Sequence, residues 1–204
     1  SKPEVLEKRL SVILDSPQKI TFGLIGNIGN RLKGLHVALK ALSLVKNQLP
    51  HFELRVLGQG DASAWTGEIE RLGLKGQVVF SGTKPGGDAV MDWLDEIDVY
   101  LQPSFHEGLP RGLIEAMSRG CPALGSNAGG ISELLDSAFI HKKGDAEALA
   151  QQVLNIVKDS ELRNKSAQDN FARAPEYTKD KLTPRRAAFW FQFADHVRGK
   201  DGRG

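Results

Sequence analysis

Few residues in this sequence could tie the chain to an oxidising compartment, a bilayer or a polyanion. Its 204 residues hold one cysteine, Cys121, which excludes an intrachain disulfide and leaves no thiolate zinc site. A reducing compartment is the natural expectation, with Cys121 a small buried hydrophobe. No apolar run approaches the roughly 18 residues that cross a bilayer, and the first residues lack a signal-peptide core. The chain therefore reads as soluble or at most peripheral to a membrane, with a cytoplasmic location. Charge of one sign is missing too: 27 Lys and Arg face 25 Asp and Glu, a net +2, with no basic block interleaved with aromatics. Those features argue against nucleic acid as a partner. Internal repeats and low-complexity tracts are absent, and no Asp-x-Asp pair offers a metal two carboxylates.

A composition of 40% hydrophobic and 25% charged residues remains, in a chain long enough for one sizeable core and short for two. Apolar runs at Ile20–Ile25, Phe52–Leu57, Gln77–Phe80, Val99–Gln102 and Ala123–Gly125 read as strands, with amphipathic segments between them. Leu35, Leu39, Leu42, Val45 and Leu49 recur at spacings of three and four, the stripe of a helix packed on a sheet, which Pro50 ends. Shorter stripes lie around Ile69 and Leu72, around Val90 and Leu94, and over Leu113–Met117. This rhythm predicts an α/β fold, a doubly wound parallel sheet with right-handed crossovers. Beyond Asp136 the pattern turns helical over Ala146–Val157, Glu161–Ala172 and Lys181–Val197. In the last segment Phe189, Trp190, Phe191 and Phe193 cover either this sheet or another domain. Residues 1–17 read as linker, 18–198 as one domain and 199–204 as a tail.

Ligands of doubly wound sheets bind beyond the carboxyl ends of the strands, where helix N-termini present unpaired N–H groups. Three loops there carry the chemistry. The first, Gly26-Asn27-Ile28-Gly29-Asn30-Arg31-Leu32-Lys33-Gly34, has small residues that let a backbone approach an anion and two cations that would meet a diphosphate. Gly23, Gly26 and Gly29 fall every third residue, not at the first, third and sixth positions of the dinucleotide fingerprint, which argues against a nicotinamide or flavin cofactor. The second loop runs from Gln102 through Pro103, Ser104, Glu107, Gly108, Leu109 and Pro110 into a helix that starts near Leu109 or Pro110 and carries Glu115. Either both carboxylates face the crevice, or Glu115 is solvated and Glu107 only favours the positive end of the helix. The third, Ser126-Asn127-Ala128-Gly129-Gly130-Ile131-Ser132-Glu133, either admits a phosphate or sugar edge or makes a tight turn.

A Gly-rich loop with Lys-Gly, then Pro-Ser-x-x-Glu-Gly, then Glu-Ala-Met-x-x-Gly-Cys-Pro, then Gly-Gly-x-x-Glu resembles the C-terminal, nucleotide-sugar-binding domain of family 4, or group 1, retaining glycosyltransferases of GT-B fold. The likeness covers residues 19–198 and is strongest at Glu107 and Glu115, with seven residues between them. It implies Glu107 at the donor sugar with the backbone of Gly108, Leu109 and Pro110 around it, and Glu115 on the ribose hydroxyls. Lys33 would pair with the diphosphate, and Thr83 or Lys84 would lie near the base. Gly26, Asn27, Gly29 and Ser104 would belong to the same donor site. The family usually has an arginine directly after the glycine that closes the first strand. This chain has Asn27 there, and Arg31 comes later in a longer loop.

With a UDP- or GDP-type sugar as substrate, Lys33 and Arg31 would meet the charge that develops on the β-phosphate. No metal and no other cofactor is expected. The family also implies retention of anomeric configuration and a second, N-terminal domain that binds a glycan or lipid-linked acceptor. This chain does not hold that domain, so alone it is expected to bind donor weakly and transfer nothing. Cell-surface polysaccharide and lipopolysaccharide synthesis at the inner face of the cytoplasmic membrane is the setting implied. The rival readings are a non-catalytic nucleotide-sugar module and a sugar-nucleotide epimerase.

Overall fold

The structure, a computed structural model, describes residues 2–13, 17–178, 180–184 and 190. The chain opens with α1 (Pro3–Ser11), β1 (Lys19–Ile25), α2 (Leu35–Val45) and β2 (His51–Leu57), then runs through α3 (Thr66–Arg71), β3 (Val78–Phe80), α4 (Asp88–Asp95) and β4 (Val99–Gln102). It continues with α5 (Arg111–Ser118), β5 (Ala123–Ser126), α6 (Ile131–Leu134), β6 (Ile140–His141), α7 (Ala146–Lys158) and α8 (Ser160–Arg173). All these strands join one parallel sheet in the order β3-β2-β1-β4-β5-β6. The doubly wound expectation holds, and each end of the five expected strands falls within one residue of its predicted place.

A parallel sheet is covered on both faces, so its central strands are apolar without alternation. In β1, Ile20 to Leu24 are buried in unbroken succession. One face packs under α2, α3 and α7, where Leu39, Leu42 and Val153 are fully buried; each such leucine contributes about 2 kcal/mol. The other face packs under α4, α5 and α6, with Leu94, Leu113, Met117 and Ile131 against Tyr100. Cys121 is buried in that second core and its thiol is pushed up to about 11 by burial, an inert packing residue as expected.

The strand order reverses between β1 and β4. Those neighbours pair through Phe22 with Val99 and Gly23 with Tyr100, and the loops that follow them stand where a doubly wound sheet binds its ligand.

Two differences from the sequence reading have physical causes. Residues 1–17 do not form a plain linker, because Pro3–Ser11 is the helix α1, packed on α8. Its one buried residue is a charged one, Arg9, whose guanidinium donates to Ile97 O at 2.6 Å, Leu94 O at 2.9 Å and Arg119 O at 3.3 Å. Val5, Leu6 and Leu10 on the same face are only partly buried and Arg9 interrupts them, so the apolar stripe is short and broken. The sixth strand, β6, has two residues, too few for a period. The expected helix over 181–197, with Phe189, Phe191 and Phe193, and the tail 199–204 lie outside the described residues except for 181–184 and Trp190, which is exposed.

Candidate functional site

At the reversal the loops after β1 and β4 meet, and glycine permits their contact. Gly34 sits at φ 77°, in the left-handed region that L side chains avoid, and a Cβ there would stand 1.9 Å from Pro103 O. Phe105 N donates to Leu32 O at 2.8 Å and completes the junction. Within the first loop Asn27 Oδ1 accepts from Gly29 N and Asn30 Oδ1 from Leu32 N, both at 2.9 Å. These turns fold the loop on itself, and Asn30 caps the short 3-10 turn Arg31–Lys33.

That turn delivers Lys33 to Glu107. Lys33 Nζ lies 2.7 Å from Glu107 Oε1, with side chains 31% and 8% exposed respectively. The same oxygen accepts from Ser104 Oγ at 2.9 Å and from Gln102 Nε2 at 3.1 Å. Beneath them Gln102 Nε2 also donates to Ser104 Oγ at 2.8 Å, and Tyr100 OH to Gln102 Oε1 at 3.0 Å. A polar ladder therefore climbs from the core to a carboxylate at the crevice. Burial raises the Tyr100 phenol well above its ordinary range, so it stays a neutral donor.

The backbone around Glu107 is held from its other side by the third loop. Gly129, at φ 51°, faces Glu107 O, which would stand 1.9 Å from a Cβ, and Gly130 N donates to Gly108 O at 2.9 Å. The sequence reading left this glycine pair between a ligand edge and a tight turn. Its exposed space is occupied by the Glu107–Gly108 backbone. Pro110, expected just inside α5, stands one residue ahead of it as the N-cap, with φ −72°.

Glu115 lies in the second turn of α5, half-buried, and its carboxyl is raised by burial, with Arg111 opposing. Beside it opens a cleft of about 460 Å³, walled by Leu109, Ile114, Tyr177 and Leu182. After burial, the charges of Glu107 and Glu115 raise the Tyr100 phenol further.

The predicted residues thus sort by where the fold puts them. Lys33, Glu107 and Ser104 meet directly, with Gly108, Leu109 and Pro110 continuing the same loop into α5. Ser104 is fully buried beneath Glu107, so it acts through that carboxylate. Gly26, Asn27 and Gly29 line the facing loop, where Gly26 N donates to Leu57 O at 2.9 Å. Arg31, exposed, does not join Lys33: its guanidinium lies 5.6 Å over the Trp65 ring and 4.0 Å from Glu68. Thr83 and Lys84 stand exposed beyond the edge strand β3, on the far side of the β1 loop from Glu107. Gln102 and Tyr100 were missed in the sequence reading. A glutamine closing an apolar central strand was the available signal, because a buried amide must find partners.

The family model of glycosyl transferases group 1 matches residues 9–172. Protein CapJ of Staphylococcus aureus is 29% identical over 169 residues, covering 83% of this chain and 43% of CapJ. The amylovoran biosynthesis glycosyltransferase AmsK of Erwinia amylovora is 33% identical over 165 residues, 76% of this chain and 40% of AmsK. The chain thus spans less than half the length of these curated relatives. Among solved structures, Anabaena HepE in complex with UDP and glucose superposes with a TM-score of 0.72 at 20% identity, over 94% of this chain and 53% of that one. The C-terminal domain of LpcC, a group 1 family protein of Francisella tularensis, gives 0.70 at 19% identity, over 87% of this chain and 92% of that one. A family match over 164 residues (9 to 172 inclusive) of 204 decides the matter: the chain belongs to the group 1 glycosyltransferases, with the GT-B type of Rossmann-like domain.

Proposed function

We propose that this chain is the donor-binding part of a retaining glycosyltransferase that moves a sugar from a nucleoside-diphosphate sugar to a glycan or lipid-linked acceptor in the synthesis of cell-surface polysaccharide or lipopolysaccharide. The observation that carries the reading is the meeting of Lys33 and Glu107 at the reversal of strand order, inside a chain of this family. Relatives named for amylovoran and colanic acid biosynthesis support the setting. A structural neighbour holding UDP and glucose supports the donor class.

In this proposal Glu107 receives the donor sugar's hydroxyls and Glu115 the ribose diol, in the cleft beside α5. The bond between the anomeric carbon and the β-phosphate oxygen breaks, and the acceptor oxygen bonds to that carbon from the leaving-group face. The acceptor's proton goes to the departing diphosphate. Lys33, whose ammonium is partly exposed and already at the crevice, meets the charge on the leaving group, without a metal. Arg31 assists by leaving an exposed contact with Glu68 that contributes little. Acceptor binding falls to a separate N-terminal domain, and the reaction takes place at the cytoplasmic membrane's inner face. No helix among the described residues is long and apolar enough to cross a membrane.

Titration of the chain with UDP, GDP, ADP and NAD, repeated with Glu115→Ala, tests the reading. One nucleoside diphosphate should bind, and Glu115→Ala should weaken it at least tenfold, about 1.4 kcal/mol. Preferential binding of NAD, or of none, would overturn it.

A further inference from the structure

We propose that Gln102 positions Glu107 for the donor sugar, and that it keeps the carboxylate in place when Lys33 turns to the diphosphate. This rests on the donor-site reading above.

Tyr100 has one hydroxyl proton and gives it to Gln102 Oε1. The two amide protons of Gln102 go to Ser104 Oγ and Glu107 Oε1, and the hydroxyl proton of Ser104 goes to Glu107 Oε1. Each proton is used once. Reversing the amide would set Oε1 against the Glu107 carboxylate, which only accepts, so Nε2 faces Glu107 and Oε1 the phenol. Tyr100 and Ser104 are fully buried and Gln102 is 2% exposed, so water cannot replace these donors.

All three partners of Glu107 meet Oε1, and among the described residues none meets Oε2. One oxygen is therefore fixed from below while the other stays unengaged, as a group that accepts from substrate hydroxyls requires. The partners also differ in kind. Lys33 comes from the open side on a flexible stem, whereas Gln102 and Ser104 come from the closed side without charge. An arriving diphosphate competes for Lys33 and leaves the neutral donors untouched. Gln102 is thus a positioning residue acting through Glu107.

The test compares two ligands on one protein. Each of UDP, GDP and ADP is titrated beside its glucose and mannose conjugates, by ligand-observed NMR that reaches millimolar affinities. The readout is the gain in affinity that the sugar supplies. Gln102→Met keeps volume and removes both donors; it should cut that gain about tenfold and change diphosphate affinity less than about twofold. Tyr100→Phe removes the hydroxyl that donates to the amide and that the Ile25 backbone also meets, and should cut the gain about threefold. On a Glu107→Ala background, Gln102→Met should change nothing further. Equal losses for diphosphate and conjugate would mean a structural role and overturn the proposal, as would an unchanged gain. Failure of every nucleotide to bind the unaltered chain would instead overturn the donor-site reading. Should Gln102→Met not fold, Tyr100→Phe carries the same decision.

Discussion

The two edges of the sheet handle charge in opposite ways. At the amino edge, Arg9 spends its guanidinium on three backbone carbonyls, Arg163 donates to Ile156 O at 2.7 Å, and Asp98 accepts from Thr21 N at 2.7 Å. A cavity of about 210 Å³ lies among these residues, but the buried guanidinium groups around it already face carbonyls. At the carboxyl edge, Glu107 keeps Oε2 unengaged among the described residues, Glu115 borders an open cleft, and Lys33 stays partly exposed. Buried charge satisfied by backbone holds elements together. Charge left half-satisfied beside a crevice is available to a ligand.

Four changes test that contrast. The largest effect belongs to Lys33→Ala, which should lower turnover of the transferase by about 10²–10³-fold while thermal unfolding of the chain barely moves; a loss of stability without loss of turnover would invert the assignment. Arg9→Ala should do the reverse. Three carbonyls lose their donor, and stability should fall by about 3 kcal/mol, measured by urea unfolding, with nucleotide affinity of the remaining folded chain unchanged. Gly129→Ala sits between the edges in kind. It strains a φ of 51° and pushes on Glu107 O, so stability should fall by about 2 kcal/mol and the sugar's contribution to affinity should fall with it.

The smallest effect is a pH dependence at Glu115, whose carboxyl is raised by burial. Its folded pKa lies above its unfolded one, so the charged form is penalised in the folded state. The penalty is absent below the unfolded pKa and complete above the folded one. Glu115→Gln should therefore raise the Tm by about 1–2 °C at neutral pH and leave it unchanged in acid. In the unaltered chain, nucleotide affinity should decline on acidification starting above the ordinary glutamate range, a step that Glu115→Gln removes.

The same contrast explains what the sequence made legible. Apolar periodicity located β1 to β5 and the helices between them, because both faces of a parallel sheet demand hydrophobic burial. Local motifs placed Glu107 and Glu115 on a loop and on α5. Missing were the features in which polar atoms meet over long separations. Arg9 reaches Ile97 across 88 positions, a contact that no spacing rule reveals. Lys33 and Glu107 lie 74 positions apart, yet the resemblance placed both at one donor, and the fold joins them. Gln102 looked like the end of a strand, since a buried amide is identified by its partners. Arg31 matched Lys33 in type and proximity, but Trp65 and Glu68 draw it away.

The most direct test of the account is amide chemical-shift mapping of the chain during addition of UDP, GDP or ADP. The account predicts that one of them shifts residues 26–34 and 107–115 at the carboxyl edge and leaves Arg9, Asp98 and Arg163 unmoved. Shifts gathered at the amino edge, or none with any of the three, would contradict it.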